Sequence, residues 1–183
     1  MHCSENDIIA CICEGSSERT LIQLLLEENQ LIFSSEQLLQ GQTLTGTYRK
    51  PSKFTDQFLT MDYGGQKVVM FIIQDNKTPY SIKAPYSDKV LGPHLVVTAP
   101  EVEMLMIHSL NLYNQYQKVK SNKKPSIFVA EHLKKTSAKI KSASFIKDFY
   151  QNHDLRQSLI IHKQKAKSEK NIYFLADLLK PLV

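Results

Sequence analysis

The sequence predicts an α/β domain in which a mostly parallel sheet of about four strands is flanked by helices, with a helical layer at the C-terminus. Two runs, IIACIC and VVMFII, are apolar throughout, which is typical of strands covered on both faces. Strand and helix patterns alternate in the first 100 residues, and helix patterns dominate afterwards. At 183 residues and 42% hydrophobic content we expect a single domain, with a core at residues 7–118 and a basic helical part at 119–183.

The first half of the chain carries the clearest strand signals. The run IIACIC ends at Cys13, and the leucines that follow Ser17 recur at helical spacing on one face. Pro51 favours the start of a helix, and Gly64-Gly65 predicts a turn before the second strand. We therefore predict strands at residues 7–13, 31–33, 67–74 and 94–97, helices at 17–28 and 51–59, and a helical turn at 34–41.

Beyond Pro100 the apolar residues recur at intervals of three and four, as in amphipathic helices. No internal repeat is visible, and the one biased segment is the lysine-rich KVKSNKKP. The second half is predicted to contain helices at residues 101–118, 126–134, 144–151, 154–165 and 173–179.

Apolar runs and cysteines restrict the class of protein. No run reaches the roughly 18–20 residues of a membrane-spanning helix, and MHCSENDII lacks the order of a signal peptide, so we expect a cytoplasmic protein without a membrane partner. Cys3, Cys11 and Cys13 fit neither a disulfide framework nor a paired zinc site. Because Cys11 and Cys13 share one face of the predicted strand, we expect them to pack in the core.

The net charge of +5 is unevenly distributed along the chain. Residues 1–100 carry 8 Lys and Arg against 11 Asp and Glu, whereas residues 101–183 carry 15 against 7. A basic C-terminal part can neutralise the phosphates of DNA or RNA, although a solvated lysine-rich surface is the alternative interpretation. The candidate nucleic-acid-binding residues are Lys118, Lys120, Lys123, Lys124, Lys163, Lys165 and Lys167.

Acidic residues follow three predicted strands, at the edge where parallel sheets bind ligands. They are Glu14 with Glu18, then Asp75, then Glu101 with Glu103. Carboxylates gathered in one place need a cation or a basic group to balance them, and Mg²⁺ prefers such oxygen ligands.

Three of these acids also have an ordinary structural explanation. Glu18 follows Ser16-Ser17 and suits the first turn of a helix, and Glu101 completes a capping box with Thr98. Asp75 can open a turn. Glu14 precedes a glycine at the end of a strand, where it has no helix to cap.

The stretch IIACICEGSSERTLIQLLL resembles the first motif of the topoisomerase/primase (Toprim) domain, in which a hydrophobic strand ends in Glu-Gly before a helix. The form EGxxE is similar to that of Toprim nucleases of the overcoming-lysogenization-defect (OLD) type and their small bacterial relatives. The resemblance implies that Glu14 and Glu18 contribute to a divalent-metal site. It also implies that Gly15 allows close approach of the backbone to the metal or substrate.

The second Toprim motif, a strand ending in Asp-x-Asp, is only half present. FIIQDNK provides Asp75, but Lys77 stands where the second acid is expected, and it is a candidate for binding phosphate or replacing one cation. The later VVTAPEVEMLMI is similar to a P-E-x-E-x-L segment of this group. Glu101 or Glu103 is therefore a candidate for the missing ligand.

The resemblance implies a phosphodiesterase or nuclease that uses Mg²⁺ or Mn²⁺ and acts on nucleic acid. Glu14 would be a metal ligand or general acid/base, with Glu18 and Asp75 as ligands. Lys163 or Lys165 would stabilise the transition state, by analogy with a late lysine in some OLD-type nucleases.

The alternative is a catalytically degenerate module that binds nucleic acid or protein, in a phage-defence or mobile-element setting. An ATPase is one possible protein partner of either form. The histidines show no HxH or HExxH spacing, and no Walker A loop or GxGxxG occurs. His108 is expected to be a partly buried helical residue, and His162 is a further candidate for contact with phosphate or metal.

Overall fold

The computed structural model describes residues 3–99, 102–167 and 169–181, and within them four parallel strands form one sheet. Helices flank this sheet, so the predicted α/β class is confirmed. The strands lie in chain order and comprise β1 (Ile8–Cys13), β2 (Val68–Gln74), β3 (Val90–Val97) and β4 (Ile172–Tyr173).

The register brings the carboxyl ends of the first three strands to one edge. β1 pairs with β2 from Ile8 opposite Val68 to Cys13 opposite Ile73. The β2–β3 pairing ends one residue later, with Gln74 opposite Val97. Side chains that immediately follow β1 and β2 therefore lie close together.

The position of the fourth strand corrects the sequence prediction. Residues 31–33 form no strand, and Leu31 makes a single antiparallel bridge to Leu179. The fourth strand is β4, inside the segment predicted as a helix at 173–179, of which only Leu175–Leu178 is a 3₁₀ turn. A two-residue strand is too short to show a period in sequence, and its hydrogen bonds depend on the free edge of β3.

Most predicted helices are confirmed, with small shifts of their ends, and none in the described part of the chain is long and apolar enough to cross a membrane. The predicted proline-started helix is a short α-helix that continues as a π-helical turn, Thr55–Leu59. The α-helices are α1 (Ser16–Glu27), α2 (Pro51–Phe54), α3 (Met104–Ser109), α4 (Tyr113–Gln117), α5 (Pro125–His132), α6 (Ser137–Ile140), α7 (Ala143–Tyr150) and α8 (Leu155–Lys165).

The prediction of one continuous helix at residues 101–118 is wrong. Asn111, whose φ of 57° is left-handed, separates two shorter helices, α3 and α4. Asparagine tolerates this conformation better than most residues, and it ends helices as glycine does. The sequence prediction also missed α6, which Thr136 caps by accepting a hydrogen bond from the Lys139 N–H at 3.1 Å.

Two apolar cores cover the two faces of the sheet. Ile9, Cys11 and Cys13 of β1 belong to the core shared with α1, α3, α5, α7 and α8, so the prediction that both cysteines pack inside is confirmed. Ala10 and Ile12 belong to the other core, which residues 39–59 cover with Phe54 and other side chains. Because both faces are covered, β1 and residues 68–73 of β2 are apolar at every position.

Candidate functional site

Glu14, Glu18 and Asp75 meet at the carboxyl ends of β1 and β2, and we call these three residues the acidic edge. The Asp75 backbone N–H donates a hydrogen bond to Glu14 Oε2 at 2.9 Å. The Glu14 N–H in turn donates to the Ile73 carbonyl at 2.9 Å, which anchors Glu14 to β2. The charges of Glu14 and Asp75 both raise the pKa of Glu18, so all three carboxylates lie within electrostatic reach of one another.

The ordinary explanation holds for Glu18 but not for Asp75. Glu18 lies in the first turn of α1, as expected for an acid at a helix start, although the N-cap is Gly15 and neither Ser16 nor Ser17 caps the helix. Asn76 forms the turn after β2, because its Oδ1 accepts from the Thr78 N–H at 3.0 Å. Asp75 remains exposed beside that turn.

Glu18 lies in the first turn of α1 and is 8% exposed. Burial is the largest cause that raises the pKa of Glu18, and the charges of Glu14 and Asp75 act in the same direction. The backbone amides of Glu18 and Gly15 oppose this shift without cancelling it. Glu18 therefore holds a proton more readily than an exposed glutamate does.

The raised pKa of Glu18 makes stability depend on pH. Between its ordinary pKa and its raised pKa, the folded state binds more protons than the unfolded state, so the free energy of unfolding falls as pH rises. Glu18→Gln removes this loss, and we expect its stability relative to the natural protein to be higher at pH 7 than at about pH 4. Urea unfolding across this range measures the difference. A difference that does not vary with pH, matching an exposed Glu36→Gln control, would contradict the assignment.

Arg49 completes the site, and the sequence analysis missed it. Its Nη1 forms an ion pair with Glu14 Oε1, and its Nε donates to Gln74 Oε1 at 3.1 Å. The Gln74 amide is held by the backbone carbonyls of Asn76 and Thr78, at 3.0 and 2.9 Å. One available signal was that an acidic cluster needs a basic partner, and residues 1–100 contain only Arg19 and Arg49 as arginines.

Gly46 lets the chain pass close to the end of β1, and this path brings Arg49 to the acidic edge. The chain before Arg49 runs beside β1, where Leu44 accepts from the Cys13 N–H at 3.0 Å and donates to the Cys11 carbonyl at 2.8 Å. Gly46 then passes so close that a Cβ on it would lie 2.6 Å from the Glu14 carbonyl oxygen. The turn Gly46–Arg49 follows and ends at the arginine.

The remaining predicted ligands lie elsewhere. Glu101 is outside the described residues, as is part of its predicted capping box with Thr98. Glu103 is 3% exposed at the start of α3, and its charge is one of the causes that raise the pKa of the Tyr150 hydroxyl. The structure thus brings Glu14, Glu18 and Asp75 together and places Glu103 beside Tyr150 in the helical layer.

The carboxylate oxygens of the acidic edge are suitable ligands for a hard cation, but other protein groups already bind those of Glu14. Carboxylate oxygens are the ligands that Mg²⁺ and Mn²⁺ prefer. Both Glu14 oxygens are already engaged, one by Arg49 and the other by the Asp75 N–H. Within residues 3–99, 102–167 and 169–181, no three His, Cys, Asp or Glu side chains are arranged as a metal site. A cation here must compete with the guanidinium for Glu14.

Several candidate lysines form ion pairs of their own. Lys77, at the position of the missing second acid, donates to Glu169 at 2.5 Å. Lys163, the proposed catalytic lysine, donates to Asp177 at 2.6 Å. Lys123 pairs with Glu131 at 2.5 Å. These contacts reduce the charge that each lysine can offer to a phosphate.

The other candidate nucleic-acid-binding lysines lie on the surface. Lys165 places its Nζ 4.4 Å from the centre of the Tyr113 ring, a favourable cation–π contact. The exposed members of the candidate set are Lys118, Lys120, Lys124, Lys163, Lys165 and Lys167.

His108 and His162 form a pair between α3 and α8. His108 is 4% exposed on α3, so the prediction that it is a helical residue turned toward the interior is confirmed. Its Nε2 lies 3.4 Å from His162 Nδ1. Burial, with smaller contributions from His162 and Lys165, lowers the pKa of His108 to about 4. Burial also lowers the pKa of His162, so both rings are neutral at pH 7.

Comparisons of the chain with protein-family models, with curated proteins and with solved structures find no match. The resemblance to Toprim domains therefore rests on the sequence motifs. Functional inference rests on the geometry of the acidic edge and its surroundings.

Proposed function

We propose that this protein is a metal-dependent phosphodiesterase that acts on nucleic acid at the acidic edge. One observation carries the proposal: Glu14, Glu18 and Asp75 converge at the carboxyl ends of adjacent parallel strands, where α/β folds bind ligands. Three carboxylates in one place repel one another, and a divalent cation relieves that repulsion. A cation bound there supplies the means to activate water and to stabilise the leaving oxygen of a phosphodiester.

The three residues of the acidic edge differ in how far they are exposed to solvent. Asp75 is exposed and Glu14 is about one quarter exposed, so both present oxygens to solvent. Glu18 is buried with a raised pKa, and a cation bound beside it would lower that pKa and favour the carboxylate. A cation held by Glu14 would take the place of Arg49 there, and the guanidinium would then be suited to pair with a phosphate oxygen.

Charge supports nucleic acid as the substrate class. The C-terminal part of the chain carries an excess of eight positive charges, and its exposed lysines include Lys118, Lys120, Lys124 and Lys167. Such a surface attracts the phosphate backbone of DNA or RNA, and the attraction weakens as salt concentration rises.

Titration with Mg²⁺ and Mn²⁺ tests the metal site. We expect saturable thermal stabilisation, because a cation that binds only the folded state adds about 2.7 kcal/mol at a hundred times its dissociation constant. Asp75→Asn, which removes an exposed carboxylate charge, is expected to lose most of this response. The exposed Asp88→Asn, in the turn Tyr86–Lys89, is a matched control that should respond like the natural protein. An unmodified protein that neither cation stabilises would remove the basis of the proposal.

A second candidate function is a module that binds nucleic acid or protein without catalysis. The ion pair between Arg49 and Glu14 favours it, because the guanidinium already balances a carboxylate of the edge. Lys77, which pairs with Glu169, replaces an acid that the metal site would use. Salt-sensitive nucleic-acid binding that persists in a chelator, with no cleavage in Mg²⁺ or Mn²⁺, would favour this function over the first.

A further inference from the structure

A groove of about 590 Å³ lies between α1 and the segment of residues 35–48. Its volume falls in the range of sites that hold small ligands. Its walls are mainly polar, and they include Arg19, Gln23, Gln42, Thr45 and Tyr48. They therefore combine one cation with amide, hydroxyl and aromatic groups.

Arg19 is partly buried in the wall of this groove. Its Nε is inaccessible to solvent and has no hydrogen-bond partner. Among the residues the structure describes, Arg19 takes part in none of the ion pairs. Glu27, which also lines the groove, lies 3.6 Å from Lys147 instead. The covered Nε cannot be reached from the groove, but Arg19 also lines the groove, where its unbalanced charge favours an anionic ligand.

The groove and the acidic edge adjoin each other along two segments. On α1, Glu18 belongs to the edge and the next residue, Arg19, belongs to the groove. In the segment after Leu44, Thr45 and Tyr48 line the groove, and Arg49 reaches Glu14. A polymer held at the edge therefore has a neighbouring unit close to the groove.

We propose that this groove binds one nucleotide of a nucleic-acid strand, next to the acidic edge. Arg19 receives a phosphate oxygen, to which a guanidinium donates strong, charge-assisted hydrogen bonds. The Tyr48 ring packs against Phe58, with 5.1 Å between ring centres, and its remaining surface lines the groove beside a base. The Gln23 and Gln42 amides provide donors and acceptors for the edge of that base. The role of this nucleotide in positioning a substrate rests on the proposed phosphodiesterase function, whereas nucleotide binding itself does not.

Calorimetric titration with adenosine monophosphate in the presence of a chelator tests the groove. We expect saturable binding that is at least about tenfold weaker in Arg19→Gln, because one charge-assisted partner is lost. Gln42→Glu, an exposed substitution that adds a negative charge to the wall, is expected to weaken binding similarly and decides the matter if Arg19→Gln does not fold. Lys139→Gln removes an exposed charge on α6 and should leave binding unchanged.

Two further titrations separate the parts of the ligand. Inorganic phosphate that binds as tightly as the nucleotide would overturn the assignment of a nucleotide. Adenosine that binds as tightly would overturn the role of Arg19, as would equal affinity in Arg19→Gln. Absence of nucleotide binding would overturn the proposal entirely.

The chelator separates this proposal from the proposed function. Arg19-dependent binding together with no response to Mg²⁺ or Mn²⁺ would leave the groove in place and remove the metal-dependent activity. Metal-dependent cleavage without Arg19-dependent nucleotide binding would support the proposed function and overturn the nucleotide site in the groove.

Discussion

Gly46→Ala is expected to lower the free energy of unfolding by about 2–4 kcal/mol. The added Cβ would lie 2.6 Å from the Glu14 carbonyl oxygen and 3.6 Å from that of Cys13, and neither backbone atom can move without disturbing β1. The segment that carries Arg49 must then shift away from the sheet. Urea denaturation followed by circular dichroism measures the loss.

Gly15→Ala is the matched control for this prediction. A Cβ on Gly15 would also meet an atom closely, Glu18 Oε2 at 2.8 Å, but that atom is the end of a flexible side chain. We expect a loss of less than about 1 kcal/mol, because Glu18 can turn aside. Equal losses in the two variants would contradict the view that Gly46 is required by contact with a rigid backbone.

Glu14→Gln is expected to reduce metal-dependent cleavage of nucleic acid by at least about a thousandfold, equivalent to about 4 kcal/mol of transition-state stabilisation. The substitution keeps the shape of the side chain and an oxygen that can accept from the Asp75 N–H. It removes the charge that would hold a cation and that now holds Arg49. Turnover of labelled single-stranded DNA and RNA in Mg²⁺ and Mn²⁺ measures the effect.

The control for Glu14→Gln must separate catalysis from folding and binding. Glu36→Gln changes an exposed acid in the turn Ser35–Gln37 and should keep full activity. Glu14→Gln itself should keep salt-dependent binding to nucleic acid, because the basic surface is unchanged. If Glu14→Gln retains more than about a tenth of the activity, Glu14 does not carry the reaction.

The main strands and helices follow directly from local patterns. IIACIC and VVMFII are apolar at every position because β1 and β2 are covered on both faces, and this composition predicts a parallel sheet. Helices α1, α5, α7 and α8 begin and end within one or two residues of their predicted limits, since their periodicity is long enough to detect. Asn111, which divides α3 from α4, is a single residue within a continuous apolar pattern, and the pattern does not reveal it.

The acidic edge could be predicted only in part. Glu14, Glu18 and Asp75 follow elements that the sequence identifies, so the topology of a parallel sheet is enough to bring them together. Arg49 could not be placed in this way, because it lies on a turn whose path depends on Gly46 and on hydrogen bonds to β1. Loops take their position from the surfaces beneath them, and local sequence does not encode those surfaces.

By itself, the sequence determined the α/β class, the strands β1 and β2, the helical second half and the acids at the strand ends, because each depends on local periodicity or on strand order. Only the tertiary structure decided that β4 forms beside β3, that Arg49 pairs with Glu14 and that Arg19 lines a polar groove. Each of these features joins residues that are distant in the chain, and side-chain packing rather than local preference brings them together.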